Sequence, residues 1–306
     1  MPSLWMLFAS FAFAAMGAGV KLASEFYSTS ELVMYRGLIG TLVLFMVVRH
    51  RGGTFRTDFP KAHIWRSAVG VVSLWLWFFA ITRLPLATAV TLNYMAPIWI
   101  AAFMFAVGWW RGTKMPEWPL VLAIAMSFFG VTLVLQPAIE SEQWLGGLAG
   151  VCSSVISAMA YMQVRKLGQM GEPEYRVVFY FSLTTALAGL AGTLAGDGPE
   201  GAVFQSHTLA SGALLLGIGI AALMAQMAMT RAYRVGKVLV VANLQYTGIV
   251  FSSLWGLALW GDTFDWHVWL GIGVILASGI AATFYNTRST SKGAVVKDTD
   301  PIASET

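Results

Sequence analysis

The sequence predicts an all-α integral membrane protein of ten transmembrane helices, folded as two inverted five-helix repeats. Three observations carry that expectation: scarce charge, a succession of long apolar runs, and two similar segments 152 positions apart. Hydrophobic residues fill 57% of the 306 positions and charged residues 11%, with a mean hydropathy of +0.68. Soluble domains carry about a quarter charged residues. A charge at the centre of a spanning helix costs about 2.5–3.5 kcal/mol, so a bilayer purges charge from whatever it covers. The single cysteine, Cys152, excludes an intramolecular disulfide or a cysteine metal site and reads as a small packing residue.

Crossing a hydrocarbon core about 30 Å thick takes about 20 mostly apolar residues. That criterion places spans at 4–22, 31–48, 64–82, 87–108, 119–136, 146–164, 176–195, 209–230, 238–259 and 267–286. No basic segment precedes the run from Trp5 to Val20, which therefore reads as the first span and not as a leader. Gly52-Gly53, Pro85, Pro116, Pro137, Pro173, Asp197-Gly198-Pro199 and Gly261-Asp262 break the chain between spans. Residues 1–140 and 141–286 form the two five-helix halves, and the polar stretch 287–306 reads as a disordered tail.

With the N-terminus inside, 16 of the 19 Lys and Arg residues, Arg66 among them, fall in cytoplasmic segments, and only Lys21, Arg36 and Arg83 fall on the outer side. The outer loops hold Glu140, Glu142, Asp197, Glu200, Asp262 and Asp265. This asymmetry predicts an N-in, C-in protein of the cytoplasmic (inner) membrane. The basic residues are dispersed over many short loops, which speaks against nucleic acid as a partner. Tryptophans at span ends, such as Trp65, Trp110 and Trp266, read as interface anchors.

The fourth span contains Leu92-Asn93-Tyr94-Met95-Ala96-Pro97-Ile98-Trp99, and the ninth contains Leu244-Gln245-Tyr246-Thr247-Gly248-Ile249-Val250-Phe251. Each follows a short connection, Thr82 to Ala87 or Ala232 to Lys237, and each leads into a tight turn and a last helix. Five helices separate the copies, and an odd number puts them in opposite orientations across the membrane. Inverted repeats hold the substrate of many alternating-access carriers between halves, near the midplane. Together with the Glu31-Leu32-Val33-Met34-Tyr35-Arg36 opening of the second span, these segments resemble the EamA-type ten-helix members of the drug/metabolite transporter superfamily over about residues 3–286. The acidic residue that commonly ends the fourth and ninth helices is absent at Trp109-Trp110 and present as Asp262, and Ile249 stands where proline is frequent. The resemblance implies movement of a small metabolite, often export of an amino acid or a related compound.

All 15 acidic residues and all four histidines lie in loops, at helix ends or in the tail, so no carboxylate is expected at membrane depth as a proton relay. No paired buried aspartates, His-Glu-x-x-His helix or Gly-Lys-Ser phosphate loop is present. No catalytic residue, metal or cofactor is therefore expected. The polar groups left inside are amides, hydroxyls and aromatics, which must face a neighbouring helix or a cavity. The candidate substrate-binding residues are Arg36, Trp75, Asn93, Tyr94, Tyr161, Gln226, Asn243 and Tyr246. Tyr94 and Tyr246 each stand about eight residues, or about 12 Å, into their spans, close to the midplane. Arg36 either snorkels to the outer surface, paired with Glu25 or Glu31, or attracts a carboxylate or phosphate of the solute. The partners expected are a small-molecule solute and the lipid bilayer, with a homodimer left open. A secondary transporter is the leading reading, and a non-transporting membrane scaffold or membrane-bound transferase the alternative.

Overall fold

The computed structural model describes residues 2–84, 86–112, 117–136, 143–195, 204–261 and 263–297. Twelve helices succeed one another: α1 (Pro2–Ala23), α2 (Thr29–His50), α3 (Pro60–Arg83), α4 (Leu86–Asn93), α5 (Ala96–Arg111), α6 (Trp118–Leu135), α7 (Trp144–Gln169), α8 (Glu174–Leu194), α9 (Leu209–Val235), α10 (Val238–Gln245), α11 (Thr247–Trp260) and α12 (Trp266–Lys297). Among the described residues nine segments are long and apolar enough to cross a bilayer, two of them continuing through the short interruptions between α4 and α5 and between α10 and α11. Helix α3 runs for 24 residues, and its stretch Ile64–Ile81 carries a single charge, Arg66.

Local chemistry sets the helix ends. The Ser28 side chain accepts from the Glu31 N–H at 3.2 Å at the start of α2, and Thr208 and Ser211 form a reciprocal capping box at the start of α9. Gly112 and Gly261 end α5 and α11 at φ of 61° and 66°, where a side chain would be strained. The two interruptions have different causes. Pro97 lacks an N–H and its ring crowds the carbonyl four residues back, so α4 stops at Asn93 and α5 starts at Ala96. The second break has no proline; the Thr247 hydroxyl donates to the Leu244 carbonyl at 2.6 Å, and Ser10 of α1 donates to the same carbonyl at 3.4 Å.

Four helix pairs build the bundle: α1 along α9, α2 along α8, α3 along α7 and α6 along α12. Each joins the first half of the chain to the second. At the α2–α8 crossing, a methyl group added to Gly37 would lie 2.5 Å from the Ala186 nitrogen, and one added to Gly189 would lie 2.5 Å from the Met34 nitrogen. Gly40 faces Ser182 and Gly192 faces Ser30. Each of these partners stands 152 positions from its counterpart, the same offset as the two sequence segments. At the α6–α12 crossing Gly130 and Gly271 face each other's carbonyls, and Ser127 and Ser278 share a hydrogen bond. Between α3 and α7, Ser73 meets Ser157 at 2.6 Å, and Ser153 donates to the Ser73 carbonyl at 2.9 Å.

Several sequence expectations meet a different arrangement. Helix α12 continues to Lys297, so residues 287–297 of the expected tail are helical and 298–306 lie outside the described residues. Asp262, Glu140, Glu142, Asp197 and Glu200 also lie outside them. Neither Glu25 nor Glu31 pairs with Arg36 among the described residues; Glu31 is buried and accepts from the Gln205 N–H at 3.1 Å. Arg66, counted with the loop charges in the sequence, is only 3% exposed. A guanidinium on the first turns of a helix can point along the helix into the bundle, which a count of charges per loop does not register.

Candidate functional site

The two helix interruptions meet. Eight residues precede each break, and those eight residues rise about 12 Å from opposite ends of the bundle. Tyr94 and Tyr246 thereby come face to face, with ring centroids 6.1 Å apart and planes 29° apart, and Phe128 lies 6.5 Å from the Tyr246 ring. Gly248 leaves room for the Tyr94 hydroxyl, which would lie 2.8 Å from a methyl group at that position. Tyr246 is fully buried and Asn243 is 1% exposed, and neither the Tyr246 hydroxyl nor the Asn243 amide has a hydrogen-bond partner among the described residues. Asn93 is half-buried at the end of α4.

A second group adjoins this one. The rings of Tyr161 on α7 and Tyr233 on α9 stack at 5.6 Å with planes 10° apart. Gln245, the last residue of α10, donates to the Tyr161 hydroxyl at 3.0 Å and accepts from the Tyr233 hydroxyl at 3.4 Å. Nearby, Trp99 Nε1 donates to the Ser154 hydroxyl at 3.0 Å. Arg36 and Gln226 line a narrow cleft between α2, α8 and α9, walled by Phe181, in which a water-sized sphere has about 10 Å3. The Arg66 guanidinium lies 4.1 Å from the Phe181 ring centre. Of the eight candidates, Trp75 stands apart: it is 43% exposed and packs over Gly192.

Arg66 and Tyr233 join this interior without having been singled out from the sequence, and Gln245, an amide expected inside the membrane, joins it although it is not one of the eight candidates. A helical stripe of small and polar residues, Arg66, Gly70, Ser73 and Trp77, marks the inward face of α3. Gln226 and Tyr233, seven apart on α9, mark another.

Both ends of the bundle are clasped. At one, Glu172 is buried before α8 and accepts a hydrogen bond from the Thr57 hydroxyl at 2.5 Å, with His63 Nε2 and the Arg176 guanidinium within ion-pair distance at 3.4 and 3.6 Å. Tyr180 and Arg176 donate to the carbonyls of Phe55 and Thr54 at 2.8 and 3.0 Å. At the other, the His207 ring sits between the hydroxyls of Tyr27 and Tyr35, 2.8 Å from each, while Glu31 holds Gln205. The start of α8 thus binds the loop before α3, and the start of α2 binds the loop before α9. Among the described residues no three His, Cys, Asp or Glu side chains gather into a metal site.

Apolar helices in succession, clasped at both ends and enclosing an aromatic and amide interior, define a multi-pass membrane protein. Residues 1–136 match the EamA-like transporter family. Over 86% of this chain and 88% of its relative, the sequence is 30% identical to the pseudopaline exporter CntI of Pseudomonas aeruginosa. It is 27% identical, over 95% of both chains, to a riboflavin transporter of Vibrio cholerae. A solved crystal structure at 19% identity superposes with a TM-score of 0.79 over 93% of this chain and 98% of that one, a likeness of fold alone. The chain belongs to the EamA-like transporter family.

Proposed function

We propose that the protein is a secondary transporter that exports a small organic metabolite, an amino acid or a related compound, across the cytoplasmic membrane by alternating access. In this reading α3 is the tenth span, the halves are inverted repeats, both termini face the cytoplasm, and substrate binds where the two interrupted helices meet. The observation that carries it is the convergence of Tyr94 and Tyr246 at helix breaks approached from opposite ends. Broken helices beside a midplane site are a recurring carrier design, because they free polar groups where a ligand can use them. Gly37 and Gly189, and likewise Met34 and Ala186, stand 152 positions apart, so the Gly37–Ala186 contact repeats as Gly189–Met34, which supports the inversion. The names of the relatives support transport, and the export direction follows that of the pseudopaline exporter.

Comparing metabolites inside and outside a deletion strain and an overexpressor identifies the solute, and flux in proteoliposomes then tests the site. Losing a hydrogen bond to a neutral partner weakens binding by about 0.5–1.5 kcal/mol, roughly twofold to tenfold. Tyr246→Ala and Asn243→Ala are expected to raise the half-saturating concentration at near-normal membrane abundance. Reduced folded protein with unaltered affinity in the remainder would make these residues packing groups and remove the site.

A further inference from the structure

The interior between α2, α3, α8 and α9 holds two guanidinium groups. Arg36 lines the cleft directly, beside Gln226. Arg66 enters from α3, with Gly70 clearing its path: a methyl group there would lie 2.5 Å from Arg66 Nη1. Its guanidinium rests on Phe181, whose ring walls the cleft. Nε and Nη1 of Arg66 are buried without a hydrogen-bond partner among the described residues. The ion pairs among the described residues include neither arginine. Phe181 is common to both arginines: it lines the cleft with Arg36, and its ring carries the Arg66 guanidinium.

Two like charges gathered around one phenyl ring without a counter-ion are costly in a poorly solvated interior. Such an arrangement persists when an anion completes it, and planar guanidinium forks match the paired oxygens of carboxylate and phosphate. We propose that Arg36 and Arg66, assisted by Gln226, form a seat for an oxyanion, the carboxylate or phosphate group of the solute. This rests on the transporter reading and narrows it to solutes that carry such a group. The aromatic floor of Tyr94 and Tyr246 then faces the rest of the molecule. With about 10 Å3 for a water-sized sphere, the cleft admits an oxyanion only when the helices part, as alternating access requires.

The test is thermal unfolding of the purified, delipidated protein titrated with glutarate, inorganic phosphate, neutral glutaramide and phosphatidylglycerol. Glutarate or phosphate should raise the unfolding temperature saturably and glutaramide should not. Arg36→Gln and Arg66→Gln should raise the half-saturating anion concentration at least tenfold. Arg66→Gln without ligand should unfold at or above the wild-type temperature, because a buried unpaired charge has gone; a purely structural arginine would give a clear decrease. If the glutamine variants do not fold, Arg36→Lys and Arg66→Lys keep the charge without the fork and should bind severalfold more weakly. The proposal is overturned if neither soluble anion stabilises the wild type, if the response survives in the arginine variants, or if only phosphatidylglycerol acts. Flux of a neutral solute with unaltered half-saturation in the arginine variants would also overturn it while leaving transport standing. Arginine-dependent anion binding without flux of any bound anion would leave the seat and remove the transporter reading.

Discussion

Asn243 and Gln245, two residues apart on α10, occupy opposite situations. Gln245 uses both ends of its amide, on Tyr161 and Tyr233, whereas the buried Asn243 amide uses neither. A buried amide left unsatisfied costs about 1–3 kcal/mol, and replacing it by an apolar group of similar shape removes that cost. Asn243→Leu is therefore expected to raise the unfolding temperature in detergent while weakening solute binding. Gln245→Leu strands two phenol hydroxyls and should destabilise by about 1–3 kcal/mol. The two variants should move in opposite directions in one thermal-shift experiment, and a decrease in both would make Asn243 a packing residue. The polar identity of both amides is legible in the sequence; which has partners depends on the rotation of α10 against α7 and α9.

At the scale of the element, helix contacts rest on missing side chains. Gly37→Ala and Gly189→Ala each place a methyl group 2.5 Å from backbone nitrogen of the opposing helix, so each should force α2 and α8 apart and lower the yield of folded protein. Gly17 has nothing within 4 Å, and Gly17→Ala should be neutral or slightly stabilising, since Ala is favoured over Gly in a helix by about 0.5–1 kcal/mol. Size-exclusion profiles of the three variants check this, and equal behaviour would refute it. The clasp at Glu172 makes a different prediction. Burial at the start of α3 pushes the His63 imidazole below its ordinary value; Glu172 beside it favours the cation in part, while Arg176 and Arg66 oppose it. A depressed folded-state value means the neutral ring is the folded form. Its contribution is complete above the ordinary value of about 6.5 and is lost as pH falls below it through the depressed value. Stability should decline over that interval in the wild type and decline less in His63→Gln, as read by unfolding temperature against pH.

Across the whole molecule, orientation is the property most open to direct measurement. In a Cys152→Ser background, Ser206→Cys, on the exposed segment before α9, should react with a membrane-impermeant thiol reagent added to intact cells. Asp58→Cys, on the exposed segment before α3, should react only after the membrane is opened. The reverse pattern would invert the proposed topology and, with it, the side on which each clasp lies.

The extent of most apolar helices could be read from the chain because crossing a bilayer is a local, length-based demand: an apolar run either reaches about 20 residues or it does not. Pro97 likewise announces one helix break by its own covalent structure. The ninth segment carries no such signal, and its break depends on the Thr247 hydroxyl and on Ser10 arriving from α1. Arg66 was legible as a charge near a helix end, but its burial on Phe181 follows from how α3 turns toward α8. The meeting of Tyr94 with Tyr246 was foreshadowed by equal depth along two spans, while Trp75, equally aromatic and equally apolar in context, faces outward. Sequence determined what each helix contains and how far along it each residue stands, because both depend only on position along the chain. Tertiary structure alone decided which face of each helix meets which neighbour, because that depends on close packing between segments far apart in sequence.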